Sequence, residues 1–484
     1  MNFAVNVPRR WVALAVLCLG VLMIVLDTTI VNVALPSIRA DLGFSESSLV
    51  WVVNAYMLTF GGFLLLGGRL GDLYGHRRLF LAGLLLFTVA SLGCGLSDLP
   101  HWLIAARVVQ GIGGAVVSAV ALSLIMDLFP DVTGRAMAMG VYGFVGAGGG
   151  SVGVLLGGFL TESFSWHWIF FVNLPIGLAV YLLSRRLLPA AQGPVNRARL
   201  DIAGAVTVTA SLMLAVYAIV GGNQAGWGSA WTLGLLALAL VAFLAFVRIE
   251  IRAEAPLVPP HLFRSRVIVA SNVIGVLWAA AMFAWFFISA LYLQRVLEYT
   301  PLQVGLSFLP ANLIMAAFSL GLSGMIVLRF GIRRPLCLGL VMAAMGLALF
   351  ARAPIQGSFM IDVLPGMTLL GLGAGMAFNP VLLAAMSDAG PGESGLASGV
   401  VNTSFMMGGA LGLAILASLA QARSADLFAM GFPTEVALNA GYHGAFIGGA
   451  VFAVLAALIG ALYLPGKVGE AAGPRSDLAG DSQG

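Results

Sequence analysis

Asp27 and Arg107 are ionisable side chains set inside apolar runs of bilayer length. An aspartate or arginine at the centre of a lipid-spanning helix costs about 2.5 to 3.5 kcal/mol even on a permissive insertion scale, so a partner or a task must offset it. A desolvated carboxyl can take and release a proton as its surroundings change. A guanidinium stays charged and needs a carboxylate, a carbonyl or a ligand to accept its hydrogen bonds. A carboxyl of that kind suits proton transfer across a membrane, and the arginine calls for an acceptor beside it. The alternatives are an aspartate bonded to Thr28 or Thr29 and an arginine clamped on backbone carbonyls. A pairing of Asp27 with Arg107, both facing a central cavity, is the sharper expectation.

Other side chains fall into three groups. Asn32, Asn54, Tyr56, Gln110, Asn312, Asn379, Asn402 and Thr403 are polar residues in apolar runs, suited to lining a substrate cavity or to bonding helix to helix. Trp278, Trp285 and Tyr292 recur every seventh residue and keep one helical face aromatic, a stripe for stacking lipophilic or cationic compounds or for facing lipid. Gly149, Gly153 and Gly157, with Gly158, allow close helix contact and bending.

Metal and nucleotide chemistry find no support. His76, His101, His167, His261 and His443 are scattered without ligand spacing, and Cys18, Cys94 and Cys337 read as small packing residues. Lys467 is the only lysine, and Ala461 stands where a phosphate-binding loop ending there would need its first glycine. No cofactor is expected, and an ion gradient is left as the energy source. No basic cluster alternates with exposed aromatics, so nucleic acid is not an expected partner.

The elements that carry these residues follow from composition. Hydrophobic residues make up 60% of the 484 and charged residues 9%, too little polar surface to dissolve. The apolar runs are continuous for about 20 residues, as a spanning helix needs, instead of alternating as barrel strands do. Fourteen such segments lie between residues 11 and 464, the first read as a retained span and the longest loop falling at 421–440. With both termini inside, nineteen of the 24 Lys and Arg residues lie in cytoplasmic segments, the asymmetry that membrane insertion imposes.

An internal repeat divides the spans. Gly68, Gly75, Arg77 and Arg78 recur in register as Gly324, Gly331, Arg333 and Arg334, 256 residues on. These motifs follow spans 2 and 10, so two six-helix halves must be separated by two inserted helices. The expected units are residues 1–189, an insertion with linkers at 190–262, a second half at 263–464 and a tail at 465–484. Parallel halves of this kind place a substrate site at their interface and alternate its access by rocking. Asp72 in the first loop, with Arg77, Arg78 and Arg135, suits a latch on the cytoplasmic side; the arginines alone are equally explained as topology determinants.

At these residues the chain closely resembles the major facilitator superfamily, and within it the fourteen-span drug:proton antiporter family. The resemblance rests on Leu26-Asp27-Thr28-Thr29-Ile30-Val31-Asn32-Val33-Ala34-Leu35-Pro36, on the Gly68–Arg78 loop, and on Arg107, Gln110, Gly111, Gly113 and Gly114. Further matches are Trp166, Trp168, Ile169, Phe170, Asn173, Pro175, Gly177, Gly395, Ala397, Ser398, Gly399, Asn402 and Thr403. It implies an all-α polytopic membrane protein with 6+2+6 helices and efflux of small lipophilic compounds in exchange for protons. It also implies a site in a bacterial plasma membrane, a single chain as the working unit, and a part for Arg107 in proton transfer.

Departures are Val154 where the family's Gly-Pro pair is usual, Leu73 where a basic residue is common, and Leu328 opposite Asp72 in the second repeat. Val154 keeps open an importer or a carrier for one metabolite or antibiotic. An integral-membrane enzyme or ion-translocating subunit would need further intramembrane acids or bases. Span 10 holds no carboxylate, which favours neutral or monocationic substrates over dications.

Overall fold

The computed structural model describes residues 7–466 apart from 46, 130, 189–200, 255, 319–321 and 389–393. Among these residues every regular element is helical. The first half comprises α1 (Val7–Leu42), α2 (Trp51–Tyr74), α3 (His76–Gly95), α4 (Pro100–Leu128), α5 (Val132–Ser163), the short α6 (Trp168–Phe171) and α7 (Asn173–Leu187). A hairpin of α8 (Ile202–Ala225) and α9 (Ala230–Arg252) follows. The second half comprises α10 (Arg266–Arg295), α11 (Pro301–Ala317), α12 (Ser323–Phe330), α13 (Arg333–Phe350), α14 (Leu364–Ser387), α15 (Ser394–Ala429) and α16 (Thr434–Tyr463).

Twelve of these helical segments are long and apolar enough to cross a membrane. The other two expected spans are occupied by α5 and by α11 with α12. Helices are the outcome because a backbone amide in hydrocarbon must find its partner within its own segment. Polar caps mark several starts: Asp131, Asp201, Ser229 and Ser265 each accept from the backbone at the first turn of α5, α8, α9 and α10, and Thr300 with Gln303 forms a reciprocal capping box on α11. The long loop expected at 421–440 is instead helical through Ala429 and again from Thr434, with a turn at Gly431. Its polar side chains mimic a loop in composition, but helical backbone bonding carries α15 past the apolar stretch.

The repeat seen in sequence is a backbone repeat. Gly75 closes α2 at φ +90° and Gly331 closes α12 at φ +80°, a conformation that any side chain would strain. Gly83 of α3 meets the Gly113 carbonyl of α4, and Gly339 of α13 meets the Gly373 carbonyl of α14. A Cβ at any of these four positions would lie within 3.2 Å of the facing carbonyl, so both halves use glycine to bring the same helix pair together.

Two seams join the halves. Along α5 and α11, Gly158 sits on the Pro301 carbonyl and Gly305 on the Val154 carbonyl. Along α2 and α15, Asn54 Nδ2 donates to the Ala410 carbonyl at 3.0 Å. Gln294 Nε2 also donates to the Val33 carbonyl at 2.9 Å, and the Leu302 amide to Glu162 Oε2 at 3.0 Å. These bonds lie toward the arginine-poor end of the bundle, where α5 ends and α11 begins. The hairpin covers the second seam: α8 packs against α2 and α15, while α9 has only 11% of its apolar window buried and lies at the periphery.

Candidate functional site

Asp27 and Arg107 do meet, but not across a cavity between the halves. They are sealed inside the first half, at 0% and 1% exposure, 2.5 Å apart between Oδ2 and NH1. The physical reason lies in how α1 is rotated. Gly149, Gly153 and Gly157 of α5 lie directly against Leu22, Val25, Leu26, Thr29 and Ile30, so that face of α1 is occupied by α5. Asp27 is thereby turned toward α3, α4 and α7.

The surrounding side chains complete a buried polar cluster, in which Tyr56 Oη and Asn173 Oδ1 have no partner. Arg107 Nε donates to the Val52 carbonyl at 2.9 Å and NH1 to Gln110 Oε1 at 2.7 Å. Gln110 Nε2 donates to Asp27 Oδ1 at 2.7 Å and to Ser91 Oγ at 2.8 Å. Asn173 Nδ2 donates to the same Asp27 oxygen at 3.1 Å. The guanidinium lies 4.3 Å from the centre of the Tyr56 ring, and Phe170 stands 5.8 Å away on another side. Cys94 touches Gln110 Oε1 at 3.5 Å. Asp27 thus accepts from three donors and Arg107 gives to three acceptors, the arrangement a buried ion pair requires if its desolvation is to be offset.

Sequence reasoning left Tyr56 and Gln110 either lining a cavity or bonding helix to helix; in the structure both belong to this cluster. Ser91, Cys94, Phe170 and Asn173 complete it; Cys94 read in sequence as a packing residue, Phe170 and Asn173 as matches to the family, and Ser91 drew no reading at all. A polar residue in an apolar run was the available signal for Ser91, but its orientation toward α1 was not.

The remaining candidates disperse. Asn32 Nδ2 bonds back to the Thr28 carbonyl of its own helix at 3.3 Å, and Asn54 serves the seam. Trp278, Trp285 and Tyr292 are all buried, so the stripe turns into the second half and away from lipid. Tyr292 is a structural anchor, donating to the Pro354 carbonyl at 2.9 Å. Trp278 borders a narrow crevice with Gly275, Phe378, Val381, Asn402 and Phe405. Asn312 and Thr403 are buried, each with a polar atom that has no partner, and Asn379 is half-buried.

In the loop motif, Arg77 donates to the Arg185 carbonyl and Arg9 to the Arg186 carbonyl at 3.0 Å, so both cap the C-terminus of α7 within the first half. Arg78 is exposed, Gly68 packs loosely near Ala119, and the side chains of Asp72 and Arg135 lie outside the described residues. Nearby, Arg10 pairs with Asp131 at 2.9 Å; the Gly134 amide and this arginine hold the Asp131 carboxyl below its ordinary range.

The Major Facilitator Superfamily model matches residues 17–413. The chain is 39% identical over 424 residues to the puromycin resistance protein pur8 of Streptomyces alboniger, covering 87% of this chain and 84% of that one. It is 38% identical over 450 residues to the cephamycin export protein CmcT of Amycolatopsis lactamdurans, covering 92% and 91%. The tetracenomycin C resistance and export protein of Streptomyces glaucescens is 33% identical over 428 residues, covering 87% and 78%. Among solved structures, a bacterial homologue of the human drug peptide transporters PepT1 and PepT2 superposes with a TM-score of 0.64 at 16% identity, over 93% of this chain and 97% of that one. The xylose transporter XylE from E. coli, in its inward open conformation, gives 0.62 at 17% identity over 95% and 98%. The two structures speak for the fold alone.

Proposed function

The chain belongs to the major facilitator superfamily and is a membrane transporter, not an enzyme; from that premise we propose that it exports small lipophilic compounds, antibiotics among them, in exchange for protons, as a fourteen-span drug:proton antiporter. The observation that carries the coupling is the Asp27–Arg107 pair, closed off from solvent with Gln110, Ser91 and Asn173 around it. The names of the relatives supply the class of cargo.

In this state the Asp27 carboxyl and the Arg107 guanidinium face each other within the cluster. Proton uptake converts the carboxylate to a carboxylic acid, raises the cluster charge by one and dissolves the ion pair. Arg107 then keeps the Val52 carbonyl, Gln110 Oε1 and the Tyr56 ring face, while Asp27 keeps the amide donors of Gln110 and Asn173. The tie between α1 and α4 is weakened without orphaning either group, which lets protonation bias the tilt of helices at the seams. One charge moving across 100 mV supplies about 2.3 kcal/mol, enough for roughly 50-fold accumulation of cargo.

The test uses inverted vesicles with an acidic lumen, loaded from outside with puromycin or a fluorescent lipophilic monocation. Accumulation that collapses with the pH gradient, and is lost in Asp27→Asn, is the expected result. Accumulation indifferent to the gradient sinks the reading.

A further inference from the structure

A pair of buried carboxyls lies away from the Asp27 cluster. Asp201 caps α8 and Glu250 stands two residues from the end of α9; they are 8% and 4% exposed. One oxygen of each has a structural partner: Asp201 Oδ1 accepts from the Gly204 amide at 2.6 Å, and Glu250 Oε2 from the Val258 amide at 3.1 Å. The other two, Asp201 Oδ2 and Glu250 Oε1, are buried with no donor. Both point over Gly204, where a Cβ would lie 2.5 Å from one and 2.9 Å from the other, and the two side chains come within hydrogen-bonding reach.

The compensation comes from backbone amides, Gly204 for Asp201 and Val258 with Leu257 for Glu250. Nearby in chain and space, Leu66 and Leu70 of α2, Ala205 of α8, and Leu257 and Val258 of the segment after α9 pack into one apolar cluster. Arg248, Arg252 and Glu254 are exposed, Arg69 of α2 is half-buried, and the charged neighbour acting on Glu250 is Asp201 itself. Two carboxylates set face to face beside an apolar cluster repel, and a single proton between them turns the repulsion into a hydrogen bond.

We propose that Asp201 and Glu250 bind one proton between them, forming a second protonation site that clips the segment 256–265 to the inserted hairpin. That segment is wedged where the halves meet at the arginine-rich end. Its Leu257, Val258 and Leu262 pack with Leu65 and Leu66 of α2, Leu396 and Val400 of α15, and Ile268 of α10. Loss of the proton converts the shared carboxylic acid to a second carboxylate, and the two negative charges push α8 and α9 apart at the point that holds Val258. The hairpin thereby acts as a proton-sensitive staple across the seam. The site stands independently of the transport reading; only its influence on the transport cycle rests on it.

Infrared spectra of the full-length protein in lipid nanodiscs at pH 7 test the shared proton. In Glu250→Gln and Asp201→Asn an amide takes over as donor, so the carboxylic-acid C=O band seen in the wild type is expected to vanish in both and to persist in Asp27→Asn. A band that survives both substitutions, or is missing from the wild type, overturns the proposal. Hydrogen exchange, corrected for intrinsic rates, tests the clip. The 256–265 segment should lose about tenfold protection between pH 7 and pH 9, equivalent to one pK unit of coupling, and Glu250→Gln should lose none. Equal losses in both proteins overturn the clip. Both readouts are taken without cargo or gradient, so a failure of gradient-driven transport leaves them standing.

Discussion

The two halves repeat one backbone and fill it in opposite ways. Around α1 and α4 the first half buries an ion pair inside a set of hydrogen bonds. Around α10 and α11 the second half buries rings: Trp285 lies 4.4 Å from Phe286, and Phe286 stacks on Phe308 at 5.3 Å. Among the described residues the buried charged side chains are Asp27, Arg107, Asp201 and Glu250, none of them in the second half. Both halves leave some buried polar atoms without a partner, and in the second half these include Trp278 Nε1, Trp285 Nε1, Ser289 Oγ and Asn312 Nδ2 on and beside the aromatic helices. A helix scaffold built on glycine contacts is indifferent to what fills its core. One copy can therefore hold titratable chemistry while the other offers an adaptable aromatic surface.

The strongest challenge to this contrast is Arg107→Ala. Removing one member of a buried pair leaves a charge without a counter-ion and is expected to cost about 3 to 5 kcal/mol. Thermal unfolding in detergent should show a large drop, with gradient-driven transport abolished. A small drop would mean that the cluster is not the electrostatic keystone of the first half.

The shared scaffold makes the next prediction. Gly113→Val and Gly373→Val each push a side chain into a facing backbone, at about 1 to 3 kcal/mol by overpacking. Similar losses of thermal stability in the two halves would sharpen the comparison, and a loss confined to one half would break it. Gly75→Ala and Gly331→Ala are smaller, about 1 to 2 kcal/mol each for holding a side chain at positive φ. The smallest effect belongs to Asn312→Leu, which replaces, at similar volume, a buried side chain whose Nδ2 has no partner. It is expected to leave stability unchanged or slightly raised while altering cargo affinity, read from thermal unfolding and a binding titration.

Much of this molecule is written in its sequence because hydropathy and glycine spacing are local properties. The fourteen apolar segments, the inserted pair and the 256-residue repeat all follow from counting along the chain, and each corresponds to helices in the structure. Asp27 and Arg107 were likewise conspicuous, because an ionisable group in an apolar run is expensive wherever the run packs. Glu250 escaped notice because it sits beside Arg248 and Arg252 at a helix end, where composition reads as solvated.

What only the tertiary structure decided is direction. Which way Asp27 points depends on the rotation of α1, and that rotation is set by Gly149, Gly153 and Gly157 pressing on its opposite face from a helix about 120 residues away. The same holds for Ser91 and Asn173, ordinary polar residues until α3 and α7 bring them to one carboxylate, and for Asp201 and Glu250, which meet only because the hairpin folds back on itself. Helix formation is settled within a few residues by backbone hydrogen bonds. The rotation of one helix against another is settled by side-chain packing over long separations, and that packing becomes visible only when the chain is folded.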